Sequence, residues 1–419
     1  MIWAPKSTSR RTRAAWAVPI AGFLTTYLLI AGVSLSNVDI RLQAEFVGLI
    51  VLAAFPLIGF ILTHRGGWPR SGVVVNLLLT AFVLVLAWIA YAAKRPPVQA
   101  PLVRSPAITE SGRVPVWIDT DPACGSGKTA DVDDCWALAL ALRSPELELL
   151  GVSTVYGNQP QQGAISTPKR ADLARAILAL ASRHASVFAG AEKRSNSEWR
   201  STAASEALAS ALAHSRLTIL ALGPMTNIAT MLMRHPDRAE RIDRIVVVAG
   251  KPPGRLFHPG KHWWFHFGDF NVARDVEAMR TVLYSGVPIT LVPFDLAVQI
   301  VITDQDIRRL RAGDRLASWL AAVSEEWLSF WQGGLIDKPG FSPFDAAAVG
   351  YAALPDLFAC RETRARIGFS VFLAPFGLGR DLEVAEGIDG APVRYCDGVN
   401  ARFRSILLER LQSGSVTHH

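Results

Sequence analysis

The sequence predicts an α/β fold, an open and mostly parallel sheet covered by helices on both faces, preceded by an α-helical transmembrane region. Three observations carry this. From Val114 onwards, short apolar runs of β character alternate with helical segments. Polar residues gather at the ends of those runs, where parallel sheets bind ligands. Ahead of them lie three apolar stretches without a charged side chain.

Those stretches, at 14–36, 46–63 and 72–93, account for a chain that is 50% hydrophobic and only 19% charged. Each is long enough, or nearly so, to cross about 30 Å of hydrocarbon at about 1.5 Å per helical residue. The basic leader (Lys6, Arg10, Arg11, Arg13) would suit a signal peptide. However, the first apolar run is too long for one, lacks a small-residue cleavage site and is followed at once by two more. Residues 1–93 are therefore read as a multi-pass membrane region, with the lipid bilayer as a partner. The leader and the second loop (Arg65, Arg70) place six basic residues on one face, against four on the other (Arg41, Lys94, Arg95, Arg104). That bias predicts a cytoplasmic N-terminus and a C-terminal domain on the periplasmic or extracytoplasmic side.

The stretch KRPPVQAPLVRSPAITESGRVP has five prolines and no apolar periodicity. Residues 94–113 are thus a linker. In the domain that follows, VPVWID is a strand and CWALALALRSP a helix ending at a proline. LELLGVSTVYGN is a strand with a loop, and STPKRADLARAILALASR a helix. LTILALGP, RIVVVAG and VPITLVPFD are further strands. One domain spans 114–412, and 413–419 is a tail. The net charge of +7 is dispersed, with no basic patch interleaved with aromatics, which argues against nucleic acid. Cys124, Cys135, Cys360 and Cys396 form no C-x-x-C pair and read as buried thiols.

The segment ACGSGKTADVDDCWALALAL combines two signals. GSGKT resembles the end of a phosphate loop, but the required first glycine falls on Pro122, which has no N–H to give. DVDD is the stronger signal. Asp119 and Asp121 end the first strand, and Asp131, Asp133 and Asp134 precede the helix. A helix cap needs one aspartate; five in so short a span repel unless a cation sits among them. Hard oxygen donors suit Ca2+ or Mg2+ rather than zinc.

DTDP followed by DVDDCWALALAL resembles the signature of the inosine–uridine-preferring nucleoside hydrolase family. The resemblance continues in order through VSTVYGNQP, LALGPMTNIATML, RIVVVAG, GDFNVARDVEAM, VPFDLAVQIVIT and SPFDAAAVGYAALPDLF. It implies the Rossmann-like sheet of the nucleoside hydrolase type and cleavage of the N-glycosidic bond of nucleosides to ribose and free base. It also implies Ca2+ held by Asp121, Asp134, Asp345 and the carbonyl of Leu222. Asp121 and Asp133 are the implied catalytic residues, Asp121 taking the proton from water and Asp133 holding sugar hydroxyls. Asn158, Asp269 and Asn271 would also bind the sugar. A homo-oligomer, dimer or tetramer, is implied as well.

The sequence departs from the family pattern in several places. Eleven residues separate Asp121 from Asp133, where the short family form has three. Asp269 replaces a glutamate and Ala249 a methionine, and a further sugar-binding asparagine has no counterpart. Phe344 stands where many members carry histidine, which suggests stacking on the base, alone or with Trp263, Trp264 or Trp331. His258, His262 and His266 are alternative proton donors. Bland roles compete throughout: Asp119 as a brace, Asn158 as a turn residue, Asn271 and Asp345 as helix caps, and Phe344 as a core aromatic. Two other functions remain open, a nucleoside-binding sensor without turnover and a haloacid-dehalogenase-type phosphatase using Asp119. The second needs its acidic pair near a later strand, whereas Asp133 and Asp134 follow the first.

Overall fold

The computed structural model describes residues 107–127, 130–158, 165–253, 255, 269–333, 338–369 and 380–412. The chain divides into two units, Met1–Pro96 and Pro97–His419, and the described residues belong to the second. No helix among them is long and apolar enough to cross a membrane. The predicted spans 14–36, 46–63 and 72–93, and Trp263, Trp264, His258, His262 and His266, lie outside the described residues.

The first half is a run of strand–helix units: β1 (Val114–Thr120), α1 (Asp133–Leu142), β2 (Leu147–Thr154), α2 (Thr167–Leu180), β3 (Ser186–Ala189), α3 (Ala203–His214), β4 (Leu217–Ala221), α4 (Thr226–Arg234) and β5 (Ile242–Val247). Next come α5 (Phe270–Arg274), α6 (Val276–Leu283), β6 (Ile289–Leu291), α7 (Phe294–Ala297), β7 (Ile302–Thr303), α8 (Asp304–Arg311), α9 (Arg315–Gln332), β8 (Gly340–Phe341) and α10 (Phe344–Ala353). The chain closes with β9 (Phe358–Phe369), β10 (Arg380–Ala385), β11 (Ala391–Val399) and α11 (Arg402–Gln412).

Among the described residues, nine strands form one sheet in the order β10-β9-β11-β6-β5-β4-β1-β2-β3. From β11 to β3 every pairing is parallel, while β9 runs antiparallel to both β11 and β10. The parallel sheet agrees with the sequence reading; the antiparallel edge was not foreseen. Its signal was the alternation in FACRETRARIGF, in which charged residues interrupt any continuous apolar run.

Period-two alternation puts β1 side chains into two cores. Val116 and Ile118 pack with α1, α2, α9 and α10 on one face, and Trp117 packs with α3, α4 and α6 on the other. All ten residues of α1 are buried, as expected for a helix that is apolar on every side. Trp136 fixes its roll, donating to Ser324 Oγ at 3.0 Å and meeting the edge of Phe341. Burying one such large side chain contributes roughly 1.5–3 kcal/mol.

Two local expectations are corrected. Asp133 and Asp134 do not precede the helix; they occupy its first turn, and Val132 stands at the N-cap. The four cysteines are not thiols: they form disulfides Cys124–Cys135 and Cys360–Cys396. Cys360 and Cys396 lie directly opposite on β9 and β11, a proximity created by sheet register and invisible in linear spacing. The last residues of the Pro-rich stretch are held on the domain, where Ala107 N donates to the buried Asp243 Oδ2 at 2.6 Å.

Candidate active site

The strand order reverses direction between β1 and β4, the switch point at which open parallel sheets bind ligands beyond their carboxyl ends. Asp119 lies near the end of β1 and Asp121 just beyond it, Leu222 follows β4, and Asn158 follows β2. Across from them, α1 and α10 begin side by side. Each carries acidic residues in its first turn: Asp133 and Asp134 on α1, Asp345 on α10. The positive ends of two helix dipoles thus meet the same carboxylates.

Ligand-capable atoms of Asp133, Asp134 and Asp345 all lie within 4.8 Å of one another, and all three residues are buried. Asp345 does not cap its helix, since Pro343 holds that position. Asp134 is fixed on three sides. Its Oδ1 accepts from Thr120 Oγ1 and from Asp121 N at 2.9 Å, and its Oδ2 from Asn158 Nδ2 at 3.1 Å. Asp133 Oδ1 accepts from Asp134 N at 3.0 Å.

Asp121 is wedged between two glycines. A β-carbon on Gly223 would sit 2.6 Å from Asp121 Oδ1, and one on Gly157 would collide with Oδ2 outright. The same Oδ2 accepts from Asn158 N. Only glycine permits this approach.

Burial is the first cause of the upward pKa shifts at these carboxylates, and their like charges are the next. Asp121 and Asp345 are raised well above the ordinary range by desolvation and then by Asp134. Asp133 is raised by desolvation, then by Asp131 and Asp345. Asp134 is pushed up to about 6 by burial, against the opposing hydrogen bonds from Thr120 and Asp121. Buried carboxylates in such proximity, with every oxygen a hard donor, are suited to a divalent cation, which would reverse this destabilisation of the charged forms.

Asp119 braces the floor beside this cluster. Its Oδ1 accepts from Ser153 Oγ and from Asn227 Nδ2 at 2.8 Å, while Trp117 Nε1 donates to Ser153 Oγ at 2.8 Å. Burial raises its pKa to about 7. Asn271 does not cap a helix. Its Nδ2 donates to the carbonyls of Leu222 (2.9 Å) and Val248 (3.2 Å), joining the ends of β4 and β5. The cap of α5 is Asp269, whose Oδ1 accepts from Val272 N and whose Oδ2 accepts from Gly250 N at 2.6 Å. Burial pushes Asp269 up to about 6. Phe344 stacks on Phe294 at 5.1 Å and meets Trp331 at 6.0 Å, in an aromatic group next to Asp345.

Sequence reasoning missed Arg170. Its fully buried guanidinium donates to the carbonyls of Asp121, Pro122 and Asn158, tying together the loops after β1 and β2. A signal existed. The buried stripe of α2 is Thr167, Arg170, Ala171, Ala174, Ile177 and Leu178, so the arginine stands at a core position of a helical period.

Comparison with known proteins bears on the family and the fold. A family model described as inosine-uridine preferring nucleoside hydrolase matches residues 116–371. The pyrimidine-specific ribonucleoside hydrolase RihA of Shewanella oneidensis is 27% identical over 270 residues, 59% of this chain and 80% of its own. The non-specific ribonucleoside hydrolase RihC of Klebsiella pneumoniae is 27% identical over 272 residues, 59% of this chain and 81% of its own. The structure of a purine-preferring ribonucleoside hydrolase from Gardnerella vaginalis superposes with a TM-score of 0.58 at 21% identity, covering 71% of this chain and 98% of that one. At that identity the likeness speaks for the fold alone.

Proposed function

Because the chain belongs to the inosine-uridine preferring nucleoside hydrolase family, we propose that it is a membrane-anchored, Ca2+-dependent N-ribosyl hydrolase that cleaves nucleosides to ribose and free base. Membership itself makes it a hydrolase acting on N-glycosyl compounds. The finer reading rests on one observation above all: Asp345 converges on Asp133 and Asp134, more than two hundred residues earlier in sequence, with the three buried carboxylates within 4.8 Å.

In this reading Asp121, Asp134, Asp345 and the carbonyl of Leu222 would hold the ion, and the carboxylate of Asp133 lies in the same cluster as those of Asp134 and Asp345. When bound, Ca2+ would acidify the attacking water and orient the ribose hydroxyls. Asp121, held still by Gly157 and Gly223, is placed to accept a proton from the attacking water at its carboxylate. Asp133, Asn158 and Asp269 bind sugar hydroxyls. Asn271, whose NH2 group is committed to two carbonyls, offers its amide oxygen. Carboxylates crowded beneath the sugar favour the oxocarbenium-like transition state of glycosidic cleavage. Phe344, with its aromatic neighbours, provides an apolar wall for stacking the base. The named relatives include pyrimidine-specific, non-specific and purine-preferring enzymes, so base preference is a matter for assay.

The domain layout belongs to the proposal: a membrane region over 1–93, a linker over 94–113 and the hydrolase domain over 114–412. The distribution of basic residues supports an extracytoplasmic hydrolase domain. So do the two disulfides, which persist in oxidising compartments.

The decisive experiment incubates the full-length chain with purine and pyrimidine nucleosides, in Ca2+ or in EDTA, and assays released reducing sugar. Release that EDTA and Asp121→Asn both abolish is the expected result. A folded protein that binds Ca2+ but releases no sugar from any nucleoside would instead favour the binding-only reading.

A further inference from the structure

We infer that the Cys124–Cys135 disulfide is a positioning device for the carboxylate site, holding its two sequence-adjacent halves together before metal arrives. The inference rests on the reading of the aspartate cluster as metal-binding.

The bond ties the two segments that carry most of the acidic side chains. Cys124 is the third residue after Asp121, and Cys135 immediately follows Asp134. Both cysteines are buried, within the core that packs around α1. Eleven residues, Pro122 to Val132, lie between Asp121 and Asp133, and two of them, Gly125 and Gly127, have positive φ. Closing a longer, glycine-bearing loop costs more conformational entropy than closing a short one.

Electrostatics adds to that cost. With no cation present, like charge on Asp121 at one end of the loop and on Asp131, Asp133 and Asp134 at the other opposes their approach. A covalent link removes open-loop states from competition. It therefore does with a bond what a three-residue spacer would do by shortness alone.

The second disulfide provides an internal control. Cys360–Cys396 joins β9 to β11, and β11 is separated from β1 by β6, β5 and β4. Its loss should weaken the sheet edge without reaching the aspartates.

The test compares Ca2+ titrations, by calorimetry, of the full-length chain and two double variants. Cys124→Ala with Cys135→Ala is expected to raise the half-saturating Ca2+ concentration about ten-fold or more, with nucleoside turnover restored by excess Ca2+. Cys360→Ala with Cys396→Ala should lower the melting temperature and leave Ca2+ affinity within about two-fold, as expected for an independent distant site. Unchanged affinity in the first variant, or equal loss in both, overturns the inference while leaving the hydrolase reading intact. Absence of Ca2+ binding by the unmodified chain would overturn the metal reading, and this inference with it.

Should the first variant fail to fold, the Cys360→Ala, Cys396→Ala protein can be treated with a dithiol. The remaining S–S bond takes two electrons and two protons, the dithiol closes to its cyclic disulfide, and alkylation traps the two thiols. The same loss of Ca2+ affinity is expected, and unchanged affinity overturns the inference.

Discussion

The carboxylate of Asp121 lies directly against the α-carbon of Gly157, with no room for a β-carbon between them. The backbone of the following residue, Asn158, donates to the same oxygen, so the contact both packs and orients the proposed base. Gly157→Ala must therefore displace Asp121 or the loop after β2. We expect kcat to fall by at least ~100-fold, the scale on which ångström misplacements act, with the fold retained by circular dichroism. Wild-type turnover in this variant would show that Asp121 need not stand where it does.

Arg170 should be irreplaceable by lysine. Its planar guanidinium reaches the carbonyls of Asp121, Pro122 and Asn158 at once, a fork that an ammonium cannot reproduce. Arg170→Lys keeps the charge behind the aspartates but loses part of this brace, so kcat should drop while the protein remains folded. Arg170→Met also removes the charge and should cost about 3–5 kcal/mol of stability, the usual penalty for leaving a buried charge cluster without its partner. Equal kcat for the lysine variant and the unmodified chain would reduce Arg170 to a mere counter-charge.

Removing an aspartate should act in opposite directions with and without metal. Burial and neighbouring charges raise Asp345 well above the ordinary carboxylate range, so keeping it ionised near neutral pH costs stability in the metal-free protein. Asp345→Asn should raise Tm in EDTA, by roughly 2 °C per kcal/mol recovered, and should lose most of the Ca2+-induced rise. Thermal scans of both proteins in EDTA and in millimolar Ca2+ check this. A variant less stable than the parent in EDTA would contradict it.

Asp269 gives a pH prediction separate from the metal ligands. Its folded pKa of about 6 lies above the ordinary value of 3.8, because burial outweighs the bonds from Gly250 and Val272. The folded state therefore binds more protons than the unfolded state between these values. The associated stability is fully present below pH 3.8 and is lost as pH rises through about 6. Asp269→Asn removes the charge and can keep only one of the two backbone bonds, since its NH2 group cannot accept from Gly250 N or Val272 N. It should flatten the decline between these pH values by on the order of 2 kcal/mol, measured by denaturant unfolding. Parallel pH profiles would rule this out.

Phe344 should govern the base rather than the sugar. Replacing it with alanine removes the ring that stacks on Phe294 and meets Trp331. KM for the preferred nucleoside should rise by roughly ten-fold, the worth of one aromatic stacking contact, with Ca2+ affinity unchanged. A lowered kcat at constant KM would point to a role in the chemical step.

Local pattern was enough to reveal the alternation of strands and helices, the parallel sheet and the polar residues at its strand ends. Periodicity and turn chemistry are properties of neighbouring residues, so VPVWID, the apolar helix after DVDD and the strand LTILALGP were readable one by one. The family resemblance already grouped Asp345 with Asp121 and Asp134, but the physical reason why distant residues meet came only from the folded chain. Packing set Asp345 against Asp133 and Asp134, because two helices start side by side. It made Asp269 rather than Asn271 the cap of α5, and placed Arg170 in the core beneath the loops. It also paired the cysteines, since Cys360 and Cys396 become neighbours only when β9 and β11 align. Contacts between distant segments depend on register and packing, which no local pattern encodes.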